Sequence, residues 1–259
     1  MSASARRPQN RQARERLRAE RERAARRTRR VRQASLSAGV AAVVITLVTV
    51  TIVIQSGRDR DTRPIMPPAG ASGADSLVIP VGRADAPTTL TVYEDPRCPG
   101  CAQLERELHT TINKLEDAGE LRVDYHVLSF VDRIVPGSGS RNAANALAAA
   151  QDSGRFRAFH DALFASPPPS ETEDTFGDKE TLLALGKEID GLNTAKFASA
   201  VRQGTHDTWV RKVQADFDGQ TAIQATPAVI LNGKDLVKDQ DHPLTPQRLT
   251  DLVKAQSLR

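Results

Sequence analysis

The spacing of apolar residues changes twice between residues 76 and 130, and these changes predict strands, a helix and a strand in succession. Apolar residues cluster over 77–81 and 89–93, which is typical of two short strands. Leucine and isoleucine then recur at spacings of three and four from 104 to 115, which places one face of a helix in the core. Over 121–130, apolar side chains alternate with polar ones, so another strand follows. We expect the strands on either side of the helix to be parallel, because a helix connects them.

The chain from about 137 to 220 is predicted to be a helical insertion, because its apolar residues keep a helical period. The predicted helices are 142–151, 156–163, 182–189 and 195–217, the last of them interrupted at Gly204. Beyond the insertion we predict a strand at 228–231 in which the parallel order resumes, a turn at Asn232-Gly233, a short strand at 235–237 and a helix from 245 to 255. This succession of strands and helices predicts an α/β fold.

The residues from Ala34 to Ile54 predict a membrane-spanning helix. This stretch of 21 residues contains no charged side chain, and as a helix it is roughly 31 Å long, close to the hydrocarbon thickness of a bilayer. Residues 1–33 before it contain 13 Arg and 3 Glu. By the positive-inside rule, we expect this basic tail in the cytoplasm and residues 55–259 on the other side. A cleaved signal peptide is the alternative, although the basic region and the apolar stretch are longer than usual and no clear small-x-small site follows.

Residues 55–75 are rich in proline and glycine and have no periodic apolar pattern, which predicts a flexible linker. The predicted organisation is therefore a basic cytoplasmic tail (1–33), a transmembrane helix (34–54), this linker, and an α/β domain at 76–259 that contains the helical insertion.

The net charge of the chain describes its N-terminus more than its folded part. The formal charge is +4, but residues 1–33 contribute +10, so the remaining 226 residues carry −6. Basic runs attract anionic lipid headgroups and nucleic acid. We expect the tail to be solvated beside the cell membrane, and we expect no nucleic-acid partner.

The chain contains two cysteines, Cys98 and Cys101, and their spacing predicts a redox pair. Residues three apart share a face of a helix, so two cysteines at a helix start can close a small disulfide. The unpaired N–H groups of the helix start stabilise a thiolate at Cys98, which is therefore the expected attacking thiol. Cys101, one turn inside the helix, is the expected resolving thiol, and Pro99 suits the first turn because it lacks an N–H. With no other cysteines, folding must depend on a hydrophobic core.

Metal and haem chemistry are weaker interpretations of the same pair. A zinc site needs about four ligands, and His109 lies more than two helical turns from Cys98, so we expect no metal. Covalent haem attachment requires a histidine directly after Cys101, where the chain has Ala102. We assign no role to the other histidines, which include His126, His160 and His206.

The motif Cys98-Pro99-Gly100-Cys101 lies between a predicted strand and a predicted helix, a helical insertion follows the next strand, and Thr226-Pro227 precedes another strand. In this order the chain resembles the DsbA-like branch of the thioredoxin superfamily over about residues 76–259, and its layout resembles the membrane-anchored members found in actinobacteria. The resemblance implies a thioredoxin-like fold with a helical insertion. It also implies a cis Pro227 beside the cysteine pair, with Thr226 offering backbone groups to an extended substrate. An ordinary trans proline at the start of a strand is the alternative.

Two positions depart from the pattern of the family. The superfamily often places a buried carboxylate six residues before the first cysteine to relay protons to the second, and here this position is Val92. Glu94 and Asp95 lie closer along the chain, where they either assist catalysis or only cap the turn. Strong oxidants of the family tend to have a histidine before the second cysteine. The pair Pro99 and Gly100 lacks this side chain, so the reduction potential is left open.

From the resemblance and the compartment we expect an extracytoplasmic thiol:disulfide oxidoreductase that forms disulfides in exported proteins, because exported compartments need disulfides formed. The expected catalytic residues are Cys98 and Cys101, and their redox-active disulfide serves without a further cofactor. Thr226 and Pro227 are the expected substrate-binding residues. A quinone-linked membrane oxidase is the partner that the resemblance implies. Two alternatives are a membrane-anchored reductase or isomerase, and a non-catalytic adaptor whose thioredoxin groove binds a peptide.

Overall fold

The structure is a computed structural model of the 259-residue chain, and it describes residues 62–257. The predicted basic tail (1–33) and the predicted transmembrane helix (34–54) lie outside the described residues. Within residues 62–257, no helix has both the length and the apolar character needed to cross a bilayer.

The described chain contains a five-stranded sheet, made of β1 (Ile79–Gly82), β2 (Thr88–Glu94), β3 (Leu121–Val127), β4 (Ala228–Leu231) and β5 (Lys234–Asp235). The strands lie in the order β1-β3-β2-β4-β5, so β2 occupies the centre. β2 and β3 are parallel, with Val92 opposite Tyr125, which confirms the predicted strand–helix–strand unit. β1 pairs with β3 in the antiparallel direction.

The helix α1 (Pro99–Asp117) connects β2 to β3. Its apolar face is buried at Leu108, Ile112 and Leu115, as the spacing of these residues predicts. The later helices are α2 (Val131–Ile134), α3 (Gly139–Gln151), α4 (Phe156–Ala165), α5 (Lys179–Lys187), α6 (Ala195–Gln203), α7 (Asp207–Gly219) and α8 (Pro246–Ser257).

The helices α2 to α7 lie between β3 and β4, the position predicted for the helical insertion. The alanine-rich helix α3 is at its centre, and every residue from Ala143 to Ala150 is buried. The small side chains allow α4, α6 and α7 to pack closely against α3. Gly204 ends α6 with a φ of 65°, a left-handed conformation that glycine adopts without strain. The predicted interruption at Gly204 is therefore confirmed.

The expectation that the parallel order resumes at β4 is wrong. β4 is antiparallel to β2, with Tyr93 opposite Ala228. The physical reason is the direction of entry: the residues before β4 lie beside Cys98, so β4 starts at the edge of the sheet where β2 ends. A turn at Asn232-Gly233, with both residues at positive φ, then joins β4 to β5.

The described end of the predicted linker is not a free segment, which corrects the prediction for residues 63–75. These residues lie along the insertion and accept hydrogen bonds from α7. Thr208 Oγ1 donates to the carbonyl of Pro64 at 2.8 Å, and Trp209 Nε1 donates to the carbonyl of Ser76, directly after this stretch, at 2.7 Å. An extended proline-rich segment leaves its carbonyls unpaired, so these can satisfy donors that α7 would otherwise bury without partners.

Candidate active site

Cys98 and Cys101 lie at the N-terminal end of α1, directly beyond the end of β2. Cys98 is the N-cap residue of this helix, and Pro99 is its first residue, where the missing N–H costs no hydrogen bond. Cys98 is partly exposed, whereas Cys101 is completely buried in the first turn. Both cysteines are free thiols in this structure. The pair therefore lies between strand and helix, as the sequence predicts.

The surroundings of Cys98 lower the pKa of its thiol from an ordinary value of 9.0 to about 6. The hydrogen bond with Cys101 contributes most to this decrease. The hydroxyl of Thr226 and the backbone N–H groups of Cys101 and Gly100 add to it, and burial opposes it. The positive end of the α1 dipole favours the thiolate as well. Cys98 is therefore largely ionised at neutral pH, and Gly100 contributes through its backbone although it has no side chain.

The environment of Cys101 has the opposite effect. Burial raises the pKa of this thiol well above its ordinary value, and the nearby Cys98 and the charge of Glu94 act in the same direction. The backbone N–H of Asp95 donates to Cys101 Sγ at 3.4 Å and opposes the increase. Cys101 is therefore protonated while Cys98 is ionised. This difference supports an attacking role for Cys98 and a resolving role for Cys101.

The Thr226–Pro227 peptide bond lies beside the cysteine pair and is cis, as the resemblance implies. When Cys98 is protonated, its thiol donates to the carbonyl of Thr226, with Sγ 3.6 Å from the oxygen. A Cβ atom at Gly100 would lie 3.1 Å from Cδ of Pro227, so glycine at this position allows the proline ring to approach. The Thr226 hydroxyl is buried and has no hydrogen-bond partner among the described residues. It is therefore available to the Cys98 thiolate, and it lowers the pKa of that thiol.

The carboxyl group of Asp95, the residue after β2, accepts hydrogen bonds from three elements of the domain. Val92, at the position where the superfamily often has an acid, is packed in the core. Asp95 is completely buried, and its carboxylate accepts hydrogen bonds from the backbone N–H groups of Arg97 and Val131, at 2.7 and 2.8 Å. It also accepts a hydrogen bond from Ser140 Oγ at 2.8 Å. Asp95 therefore caps the turn and connects it to α2 and α3.

Arg97, the residue before Cys98, is part of the site that sequence reasoning did not identify. Its buried guanidinium donates to Asp132 at 2.7 Å and to the carbonyl of Glu171 at 2.8 Å, and it lies 3.3 Å from Asp174. These partners belong to the insertion, so Arg97 joins the redox turn to it. The sequence does show an arginine close to a buried strand, and a buried arginine needs a negatively charged or polar partner. The sequence does not show which partners these are, because they lie far along the chain.

A second group that the sequence analysis missed lies behind Cys101. Glu94, at the end of β2, and Glu105, on α1, are both buried beside His160 of α4. His160 Nε2 is 2.8 Å from Glu94 Oε1. Glu105 follows Cys101 by four residues and therefore lies on the same face of the helix. This spacing could have indicated from the sequence that Glu105 is buried near Cys101. The position of His160 depends on how α4 packs against α1, and no local pattern reveals it.

Comparison with known proteins agrees with this geometry. A protein-family model described as thioredoxin matches residues 75–255. Disulfide bond formation protein D of Bacillus subtilis (strain 168) is 28% identical over 165 residues, which cover 62% of this chain and 71% of that protein. The reduced disulfide bond oxidoreductase DsbG of Mycobacterium tuberculosis has a TM-score of 0.61 and 26% identity, over 72% of this chain and 89% of that chain. Reduced DsbA from Mycobacterium tuberculosis has a TM-score of 0.59 and 25% identity, over 70% of this chain and 92% of that chain.

The chain therefore belongs to the thioredoxin family. These three similar proteins are named as disulfide bond formation proteins or disulfide oxidoreductases, and this chain is a thiol:disulfide oxidoreductase of the DsbA type. The resemblance inferred from the Cys98–Cys101 motif and from Thr226-Pro227 is thereby confirmed.

Proposed function

We propose that this chain is an extracytoplasmic oxidase that forms disulfide bonds in exported proteins through Cys98 and Cys101. The observation that carries the direction of exchange is the difference between the two thiols, because the pKa of Cys98 is about 6 and that of Cys101 is raised well above its ordinary value. A stabilised thiolate favours the reduced form of the pair, which makes the disulfide form a stronger oxidant. The name of the Bacillus relative, a disulfide bond formation protein, supports this direction.

The first step opens the Cys98–Cys101 disulfide. A substrate thiolate attacks the sulfur of Cys98, which is partly exposed, whereas Cys101 is buried. A mixed disulfide forms between the substrate and Cys98, the bond between the two cysteines breaks, and Cys101 leaves with the electron pair. The Cys101 sulfur then takes up a proton, because burial raises its pKa.

The second step releases the oxidised substrate. A second substrate thiolate attacks the substrate sulfur of the mixed disulfide, a substrate disulfide forms, and Cys98 leaves as a thiolate. A thiol of low pKa is a good leaving group, so the surroundings of Cys98 favour this step. Two electrons have then moved from the substrate to the pair. We assign the reoxidation of the pair to a quinone-linked oxidase in the membrane, and the predicted membrane span at 34–54 supports this partner.

Thr226 and Pro227 are the proposed substrate-binding residues. An extended peptide that hydrogen-bonds to the backbone of Thr226 brings its cysteine to Cys98, since the Thr226 carbonyl is 3.6 Å from Cys98 Sγ. Residues 221–225, which precede this point, are mostly exposed. They leave room for the peptide along the approach to the redox pair.

The reduction potential of the Cys98–Cys101 pair tests the proposed direction. Since the pKa of Cys98 is about 6, between about 7 for thioredoxin and about 3.5 for DsbA, we expect a potential between about −270 and about −120 mV. Equilibration of the purified chain with glutathione buffers measures this value. A potential at or below that of thioredoxin contradicts an oxidase and favours the reductase.

The redox state of the pair in intact cells is the second part of this test. Acid quenching followed by alkylation should find Cys98 and Cys101 mostly as a disulfide, whereas a reductase or isomerase keeps them mostly as thiols. A Cys98→Ser chain that still supports disulfide formation in exported proteins would favour the adaptor, which needs no thiol chemistry.

A further inference from the structure

Three elements bring potential metal ligands together behind the redox pair. Glu94 comes from the end of β2, Glu105 from α1, and His160 from α4 of the insertion. Their relative exposures are 0%, 3% and 2%. One ligand atom from each of these side chains lies within 4.8 Å of the other two. A single ion can therefore contact all three after small side-chain adjustments.

The oxygens of this cluster lack the partners that burial requires. Glu94 Oε2 and Glu105 Oε1 are buried and accept no hydrogen bond from any described residue. Both carboxylate oxygens of the nearby Glu116 are in the same condition, although Arg157 lies 3.6 Å from one of them. An unpartnered buried oxygen is costly, so the cluster has oxygen atoms that a bound ion could contact.

We propose that Glu94, Glu105 and His160 bind one divalent transition-metal ion, with Zn²⁺ as the best-fitting probe. Two carboxylates and one imidazole are ligands that Zn²⁺ accepts in its three-ligand sites, with water at the fourth position. The ion supplies the contacts that the unpartnered oxygens lack. His160 Nε2, which lies 2.8 Å from Glu94 Oε1, binds the ion instead, and the protons that the imidazole and the carboxyl groups carry are released to solvent as the ion binds.

The surroundings of His160 fit a metal ligand. Histidine ligands are usually oriented by a carboxylate on the other ring nitrogen, and His160 Nδ1 lies 3.6 Å from Asp161 Oδ1. The second oxygen of Asp161 accepts a hydrogen bond from Asn113 Nδ2 at 2.9 Å, which holds the carboxylate in place. A cavity of about 100 Å³, lined by residues that include Glu105 and Asp161, adjoins the cluster on the side of Glu105.

The proposed ion would be bound by residues from two parts of the domain. Glu94 and Glu105 belong to the sheet and to the helix that carries the cysteines, whereas His160 belongs to the insertion. Binding should therefore stabilise the insertion against the thioredoxin core, because an ion that binds the folded chain more tightly than the unfolded chain raises the stability.

The test uses the full chain in its disulfide form, so that the Cys98 and Cys101 thiolates cannot bind the added metal. We expect isothermal titration with Zn²⁺ to find one site per chain, and we expect saturating Zn²⁺ to raise the melting temperature and a chelator to reverse the increase. Glu105→Gln should weaken binding at least tenfold. The matched control is Glu107→Gln, an exposed position on the same helix, which should bind Zn²⁺ as the unchanged chain does.

Asp161→Asn is a second variant, which keeps all three ligands and should weaken binding about tenfold or more through the orientation of His160. The proposal is overturned if the unchanged chain does not bind Zn²⁺ and its melting temperature does not change. In that case the three side chains bind protons but no metal ion. Binding that persists equally in Glu105→Gln and Asp161→Asn also overturns it. Neither result depends on thiol exchange, so both leave the proposed oxidase function untouched.

Discussion

Cys98 and Cys101 are separated by one helical turn, yet their thiols are in opposite electrostatic environments. Cys98 caps the helix, where hydrogen bonds from Cys101, Thr226 and the backbone lower its pKa to about 6. Cys101 is in the core, where burial raises its pKa. At the scale of single residues, the chemistry of the pair follows from these surroundings, because the two side chains are otherwise identical.

The pH dependence of alkylation should report this difference. In the reduced chain, the rate of iodoacetamide reaction at Cys98 should rise with a midpoint near pH 6, because only the thiolate reacts and the pKa is about 6. Cys101→Ala should move the midpoint toward the ordinary value of 9.0, because the hydrogen bond with Cys101 is the largest cause of the decrease. Cys98→Ser is the control and should remove this reaction. A midpoint near 9 in the unchanged chain would contradict the assignment.

The same pKa predicts how the stability of the reduced form changes with pH. The folded reduced chain holds Cys98 ionised above pH about 6, whereas the unfolded chain keeps it protonated up to its ordinary value. Unfolding in this range takes up a proton, so the free energy of unfolding of the reduced form, measured relative to the disulfide form, should rise from pH 6 to pH 9. This contribution is lost as the pH falls through about 6. If the difference in free energy of unfolding between the reduced and disulfide forms does not change over this range, the pKa of Cys98 is not lowered.

At the scale of elements, Arg97 is the connection between the redox turn and the insertion. Its guanidinium is completely buried, whereas Asp132 and Asp174 are 12% and 30% exposed. Losing one partner of a buried ion pair leaves the other charges without compensation, and this costs far more than losing a pair at the surface. The turn that carries Cys98 therefore keeps its shape partly because of residues from distant helices.

Arg97→Met should lower the free energy of unfolding by about 3 kcal/mol, because it leaves the carboxylates of Asp132 and Asp174 without their positive partner. Urea unfolding of the full chain measures this change. The matched control is Arg202→Met, which removes a similar two-point contact with Glu180 where both side chains are more than half exposed, and it should cost less than about 1 kcal/mol. Equal costs for the two variants would show that burial of Arg97 does not matter.

At the scale of the whole molecule, the described domain consists of three parts that pack against one another. The sheet with α1 and α8 carries the redox pair, the insertion α2 to α7 covers one side of it, and residues 63–76 pack along the insertion. This last segment precedes the sheet in the chain, so residues 63–76 pass over α7 before the chain enters β1. The orientation of this segment is set by hydrogen bonds such as those that Thr208 and Trp209 donate.

Thr208→Val should loosen this segment. The substitution removes the hydrogen bond to the carbonyl of Pro64 and should cost about 1 kcal/mol. Exchange of the Ala69 backbone N–H, which donates to Asp152 Oδ1 at 2.7 Å, should become faster. Hydrogen–deuterium exchange followed by mass spectrometry measures the rate. Thr250→Val is the control, because the Thr250 hydroxyl donates within α8, to Pro246. If the Ala69 N–H exchanges equally fast in both variants, the hydrogen bond from Thr208 does not hold the segment.

Some features of this protein were determined by the sequence itself, because they depend on neighbours along the chain. The periods of apolar residues predict β2, α1 and β3 within a few residues. The break at Gly204 and the turn at Asn232-Gly233 follow from the conformations that these residues tolerate. The position of the cysteine pair between strand and helix is likewise local, and it led to the family through the motif and Thr226-Pro227.

Other features were decided by the tertiary structure, because their energies come from contacts between residues far apart in the chain. The antiparallel direction of β4 depends on where the insertion returns the chain, beside Cys98. The partners of Arg97 and the pairing of Glu94 with His160 join residues that are 35 or more positions apart. Local patterns carry no information on such pairs. The redox motif was therefore visible from the start, whereas the contacts that set the pKa values of Cys98 and Cys101 appear only when burial brings these elements together.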